Sequence, residues 1–173
     1  MRVFVACVVL AVAWAAPVRA DDGRLDWPLR PRPAVLRTFD APALKWQPGH
    51  RGVDLAARPG QEVRAARAGT VVFAGELAGR PLVSVAHPGG LRTTYEPVAP
   101  SVRAGQTVAT GAVLGAVVDG HAGCPAAACL HWGAMWGPAS RTDYVDPLGL
   151  LTTTEIRLKP LAAGPSPAGA ISR

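Results

Sequence analysis

QEVRAARAGTVVFAGELAGRPLVSVAHPGGLRTTYEPV, residues Gln61 to Val98, decides the fold. Three runs within it, TVVFAG, PLVSVAH and LRTTYEPV, alternate apolar with polar or small residues and favour Val, Thr and aromatic side chains, which suit a pleated, half-buried surface. ELAGR and PGG lie between the runs and supply the glycine and proline that reverse a chain. The pattern predicts a β-hairpin meander of antiparallel strands. Upstream, AVLRTFD reads as one more strand; downstream, CLHWGAMWG reads as another and DYVDPLGLL closes the domain. Past the first 20 residues glycine interrupts each apolar stretch within a few residues, so no long helical period develops. The expected fold is all-β, a single domain of antiparallel sheets.

ARPGQEVRAARAGTVVFAG and SVRAGQTVATGAVLGAV share a plan: a basic residue, a small residue or proline, Gly-Gln, a polar residue, Val, then a Gly-rich strand. The two copies, Arg58 to Gly75 and Arg103 to Val117, predict two equivalent corners of one β structure; two copies are too few for a solenoid.

The chain has 173 residues, enough for one domain with a real core. MRVFVACVVLAVAWAAPVRADD has a short basic start at Arg2, continues apolar from Val3 to about Ala16 and then offers Val18-Arg19-Ala20, the pattern of a secretory signal cut after Ala20. The alternative is an uncleaved membrane anchor, but the apolar run is shorter than the roughly 20 residues a bilayer needs; no other segment could span a membrane, so no stable membrane insertion is expected after cleavage. The expected layout is a signal peptide over 1–20, an N-terminal extended segment packing on the domain over 21–46, the β domain over 47–151, and a strand end with a disordered tail over 152–173. The formal charge is +6; loss of Arg2 and Arg19 with the leader would lower it to +4. A basic exported protein is drawn to anionic polymers such as a bacterial wall, whereas nucleic-acid binding lacks a clustered Lys/Arg stripe with aromatics. Cys7 would leave with the leader. Cys124 and Cys129 remain, and in an oxidising compartment they read first as a disulfide.

GHRGVDLAA, Gly49 to Ala57, sets a histidine and an aspartate four positions apart. Zinc takes neutral imidazole and carboxylate, and His50 and Asp54 could supply two ligands if the Arg51-Gly52 turn brings both side chains to one side. Alone, such spacing is commonly an ordinary turn. ACLHWG offers a third donor, His131, which shares a strand face with Cys129 while Leu130 and Trp132 point the other way.

Together these stretches resemble the lysostaphin-type (LytM-type) zinc metallopeptidases, which cut peptide cross-links of peptidoglycan. The resemblance runs from about Trp27 to Leu151 through the GHRGVDLAA opening, the G-Q-x-V-x-A-x-x-x-G-x-V strand pair, the HPGGLRTTY hairpin and the closing LHWG. It implies a barrel-sandwich hybrid-like β domain with a groove, zinc on His50, Asp54 and His131, and a secreted, wall-associated metalloendopeptidase acting on peptide stems or cross-links. The alternative is a catalytically impaired module that binds peptidoglycan or activates a separate wall hydrolase.

Departures from the family pattern favour that alternative. Cys129 stands where the family has the first histidine of H-x-H, and Pro97 where it has the histidine of Y-x-H-L. His121 opens the HAGCPAAAC loop, and a Cys124–Cys129 bridge would fold that loop toward His131, so His121 is the candidate replacement, against a solvated loop histidine. Cys129 as a free thiolate is the rival reading, a fourth ligand closing a structural site. Tyr95 matches the family's tyrosine position and is expected at the cleft; Glu96 alternates with it and should face away. Arg51, exposed in its turn, is a candidate substrate contact. His87, at the end of a strand, reads as a surface turn histidine, and Trp132 and Trp136 as stacking surfaces or packing.

Overall fold

The computed structural model describes residues 23–42, 44, 46–137 and 143–151; the expected leader, its cleavage site and the tail lie outside them. One sheet runs in the order β1 (Val35–Arg37), β2 (Val53–Ala57), β10 (Ala128–Trp136), β6 (Leu91–Glu96), β5 (Arg80–Ala86), β4 (Gly69–Leu77) and β8 (Thr107–Val108), with β11 (Asp143–Val145) also pairing β10. A smaller sheet has the order β3 (Glu62–Arg64), β9 (Val113–Val117), β7 (Val98–Pro100). Neighbouring strands pair antiparallel, and β4, β5 and β6 form the meander expected from Gln61–Val98.

The two repeat copies fold alike. Gln61 N–H donates to Arg58 O at 3.0 Å and Gln106 N–H to Arg103 O at 3.1 Å. Each glutamine side chain then reaches back, its Oε1 accepting from the Arg58 or Arg103 backbone N–H at 3.0 and 3.2 Å. Gly60 and Gly105 take φ of 78° and 84° at the same place in each turn, a conformation side chains with a Cβ resist.

The large sheet has two unlike faces. Along β6 the buried residues are Leu91, Thr93 and Tyr95, while Arg92, Thr94 and Glu96 turn to the other side. In β2, Val53, Leu55 and Ala57 are buried on the core side. From β10, Leu130 and Trp132 join them at 0 % exposure. Each fully buried Val, Leu or Ile is worth roughly 1.5–3 kcal/mol relative to exposure. Leu25 and Leu29, from the segment expected to pack on the domain, are also buried, and Leu25 forms a parallel bridge to Leu151.

Candidate metal centre

β2 and β10 are adjacent, and Asp54 lies directly opposite His131 in their register. Two directly opposed residues leave the same face of a sheet, so Asp54 and His131 both rise from the side away from the core. His50 reaches them from the segment before β2, which an antiparallel bridge to Asp40 holds in place: Asp40 N–H donates to His50 O at 2.9 Å and His50 N–H to Asp40 O at 2.8 Å.

The second ring nitrogen of His50 fixes its orientation. Nδ1 lies 2.7 Å from the Thr38 carbonyl oxygen, which only accepts, so Nδ1 donates to it and Nε2 is the ring nitrogen directed into the cluster. There Nε2 is 3.0 Å from Asp54 Oδ1 and 3.1 Å from His131 Nδ1, and His131 Nδ1 is 2.8 Å from the same Oδ1. One donor atom from each of His50, Asp54 and His131 falls within 4.8 Å of the others. Burial alone would push the Asp54 carboxyl up. The hydrogen bond from His131 and the positive charges of His121, His50 and His131 outweigh it and hold the group at about 2. The set is two imidazoles and an anionic carboxylate, the donor chemistry zinc takes.

Gly52 serves this geometry through space. A Cβ there would stand 2.5 Å from Trp132 O and 2.7 Å from His131 Nε2, so the turn can lie against β10 only with no side chain. Close approach, and not a left-handed backbone, is what requires glycine at this position.

His121 lies at the same carboxylate, its Nε2 3.1 Å from Asp54 Oδ1 and its ring 6.2 Å from that of His131. Its loop is tied to β10 by a Cys124–Cys129 disulfide. A cavity of about 230 Å³, lined by Asp119, His121, Cys124, Ala127 and Cys129 among others, opens beside it. A larger groove of about 610 Å³, lined by Arg30, Arg32, Arg58 and Gln61 among others, includes none of the clustered residues in its wall.

Three expectations are corrected. Tyr95 is not at the cleft: it is fully buried, and its hydroxyl accepts from the Ala66 backbone N–H at 2.9 Å and lies 2.9 Å from Thr93 Oγ1. Glu96 therefore does not face away; it stands opposite His131 in the β10–β6 register. Both errors are one misassigned face. His87 is no surface turn residue: it is buried, with Nδ1 3.0 Å from Ala68 O and Nε2 2.8 Å from Thr93 Oγ1. Arg51 is half-buried, donates to Gln47 O at 3.2 Å and lies over the Tyr144 ring at 5.6 Å. Of the tryptophans, Trp132 is core and Trp136 is partly exposed. The Thr38 carbonyl was missed because a backbone acceptor leaves no mark in the sequence.

The profile of Peptidase family M23 matches residues 48–147. The uncharacterised protein Rv2891 of Mycobacterium tuberculosis is 67 % identical over 159 residues, which are 90 % of this chain and 64 % of that protein, so the chain spans less than two thirds of this relative's length. Among solved structures, Helicobacter pylori Csd3 superposes with a TM-score of 0.58 at 28 % identity, over 79 % of this chain and 37 % of its own. The catalytic domain of the antimicrobial peptidase lysostaphin from Staphylococcus simulans shares the fold with a TM-score of 0.53 at 21 % identity, over 65 % of this chain and 88 % of its own.

Proposed function

The chain belongs to peptidase family M23, that of the LytM- and lysostaphin-type peptidases, and we propose that it is an exported zinc metalloendopeptidase hydrolysing peptide bonds of cell-wall peptidoglycan. Membership carries a peptidase-type, peptidoglycan-related role, and peptidases of this family generally depend on zinc. The observation that carries the finer reading is the convergence of His50, Asp54 and His131, with one donor atom from each within 4.8 Å of the others.

Zinc held by His50, Asp54 and His131 would supply Lewis acidity, lowering the pKa of a water and polarising the carbonyl of the peptide bond. The chain's own residues prepare for it. The Thr38 carbonyl holds His50 with Nε2 free to ligate, the kind of outer partner that orients a ligand ring. Asp54 is anionic far below neutral pH. Cys129 is in a disulfide, so its sulfur is not a thiolate that would close the site. His121 replaces the imidazole absent at Cys129 and Pro97: it stands at the cluster with Nε2 directed to it, placed to steady the substrate oxygen. Loss of such a donor costs about 10² to 10³ in rate.

Export and wall association rest on the sequence reading of the leader and on the basic charge. A second reading, a non-catalytic module that holds peptide stems or activates a separate hydrolase, is favoured by one observation: neither helper position carries an imidazole. Incubating the zinc-loaded protein with isolated peptidoglycan and assaying new amino termini separates the two, with His131→Ala as control. New termini from wild type alone support the peptidase, and none from either protein supports the binding module. Termini that persist with His131→Ala remove the metal reading.

A further inference from the structure

We infer that Glu96, oriented by Arg80, is the residue that accepts the proton of the attacking water, an inference that rests on the peptidase reading above. The β10–β6 register pairs Glu96 directly with His131, which sets their Cβ atoms about 5 Å apart on the same face. Side chains of β6 on that face press against β10: a Cβ on Gly133, two residues beyond His131, would stand 2.6 Å from Thr94 Oγ1. Glu96 is mostly covered, its side chain 20 % exposed. Arg80 Nη1 donates to its Oε1 at 3.0 Å from a side chain that is itself 60 % exposed. No described residue bonds Oε2. The next residue, Pro97, accepts at its carbonyl from Val118 N–H at 3.3 Å, so the end of β6 meets the root of the loop that carries His121.

Peptide hydrolysis needs both an acceptor for the proton of water and a donor for the developing oxyanion. His121 Nδ1 lies 3.1 Å from Ala122 O, so its Nε2 donates in the imidazolium form; in that form His121 serves as the donor and Glu96 as the acceptor. Oε2 takes a proton from water as the water oxygen bonds to the carbonyl carbon. That proton then passes to the amine nitrogen as the C–N bond breaks, leaving one carboxyl and one amine product and Glu96 as it began. A carboxylate paired with His131 thus does the work expected of an imidazole one position along the chain.

The test uses the full chain, zinc-loaded, on soluble cross-linked peptidoglycan fragments. Glu96→Gln keeps the shape and removes the proton acceptor; kcat should fall about 10² to 10⁴-fold with KM, zinc per chain and Tm unchanged. Arg80→Gln removes the ion pair and leaves the carboxylate, so its loss of kcat should be much smaller. Calorimetric binding of the same fragments to metal-free wild type and metal-free Glu96→Gln should give equal Kd, a readout free of turnover. Glu96→Gln that keeps wild-type kcat overturns the inference and leaves the peptidase reading standing. So does Arg80→Gln that costs as much as Glu96→Gln, because the pair would then act only as structure, and so does a Kd that changes tenfold. Wild type that cuts nothing overturns the peptidase reading, and this inference with it.

Discussion

Two buried polar clusters lie on opposite sides of the same sheet, and they are built by opposite rules. On the core side, His87, Thr93, Tyr95 and the Ala66 and Ala68 backbones form one chain of hydrogen bonds between 2.8 and 3.0 Å. Each hydroxyl in it can give one hydrogen and accept another, so every polar atom finds a match. On the other side, three imidazole nitrogens lie within 3.1 Å of a single oxygen, Asp54 Oδ1, and two of those nitrogens also face each other at 3.1 Å. One oxygen does not satisfy three rings. A satisfied chain stiffens a core, whereas an oversubscribed carboxylate is an arrangement that a bound cation would complete.

The sharpest break in that contrast is Asp54→Asn. It should abolish stoichiometric zinc binding, read by elemental mass spectrometry, while the core chain keeps the fold. Next is Gly52→Ala, whose Cβ would meet Trp132 O and the His131 ring. It should destabilise by about 3 kcal/mol, the upper end for overpacking, and lower zinc content in the same sample. Urea midpoints against fluorescence check the first figure.

pH separates the clusters further. Asp54 is held at about 2, below its ordinary 3.8, so in metal-free protein its contribution is present above 3.8 and is lost as pH falls through about 2. Tyr95 behaves in the mirror sense: burial pushes its hydroxyl up to about 12, so its contribution is present below 10 and is lost as pH rises through about 12. Each limb is worth roughly 2 to 3 kcal/mol. Unfolding curves across both ranges should show Asp54→Asn flattening only the acid limb and Tyr95→Phe only the alkaline one. The smallest effect belongs to the cystine. Replacing Cys124 and Cys129 by Ser should cost about 2 kcal/mol in the chain-entropy account, with zinc retained and peptide turnover reduced as His121 loses its anchor.

The meander and the paired turns were legible because their determinants are local: alternation within a strand, and Gly-Gln after a basic residue. The convergence of His50, Asp54 and His131 was legible through spacing together with family resemblance. The face of β6 was not, because LRTTYE presents a mixed set on either side: Leu, Thr and Tyr, or Arg, Thr and Glu. Tyrosine suits a core as well as a cleft, and only pairing with Trp132 on β10 decides it. His87 was misread for a related reason. Its acceptor, Ala68 O, comes from 19 residues earlier, and tertiary pairing of that kind leaves no periodicity to read.

The Leu25–Leu151 bridge bears on how the domain carries load. The two segments run parallel, with Leu25 N–H donating to Leu150 O at 2.8 Å. Opposing pulls along the chain at Leu25 and at Leu151 therefore strain the pair in shear instead of peeling it open. A pull along the polypeptide meets that clasp before it reaches β2 or β10, where Asp54 and His131 stand.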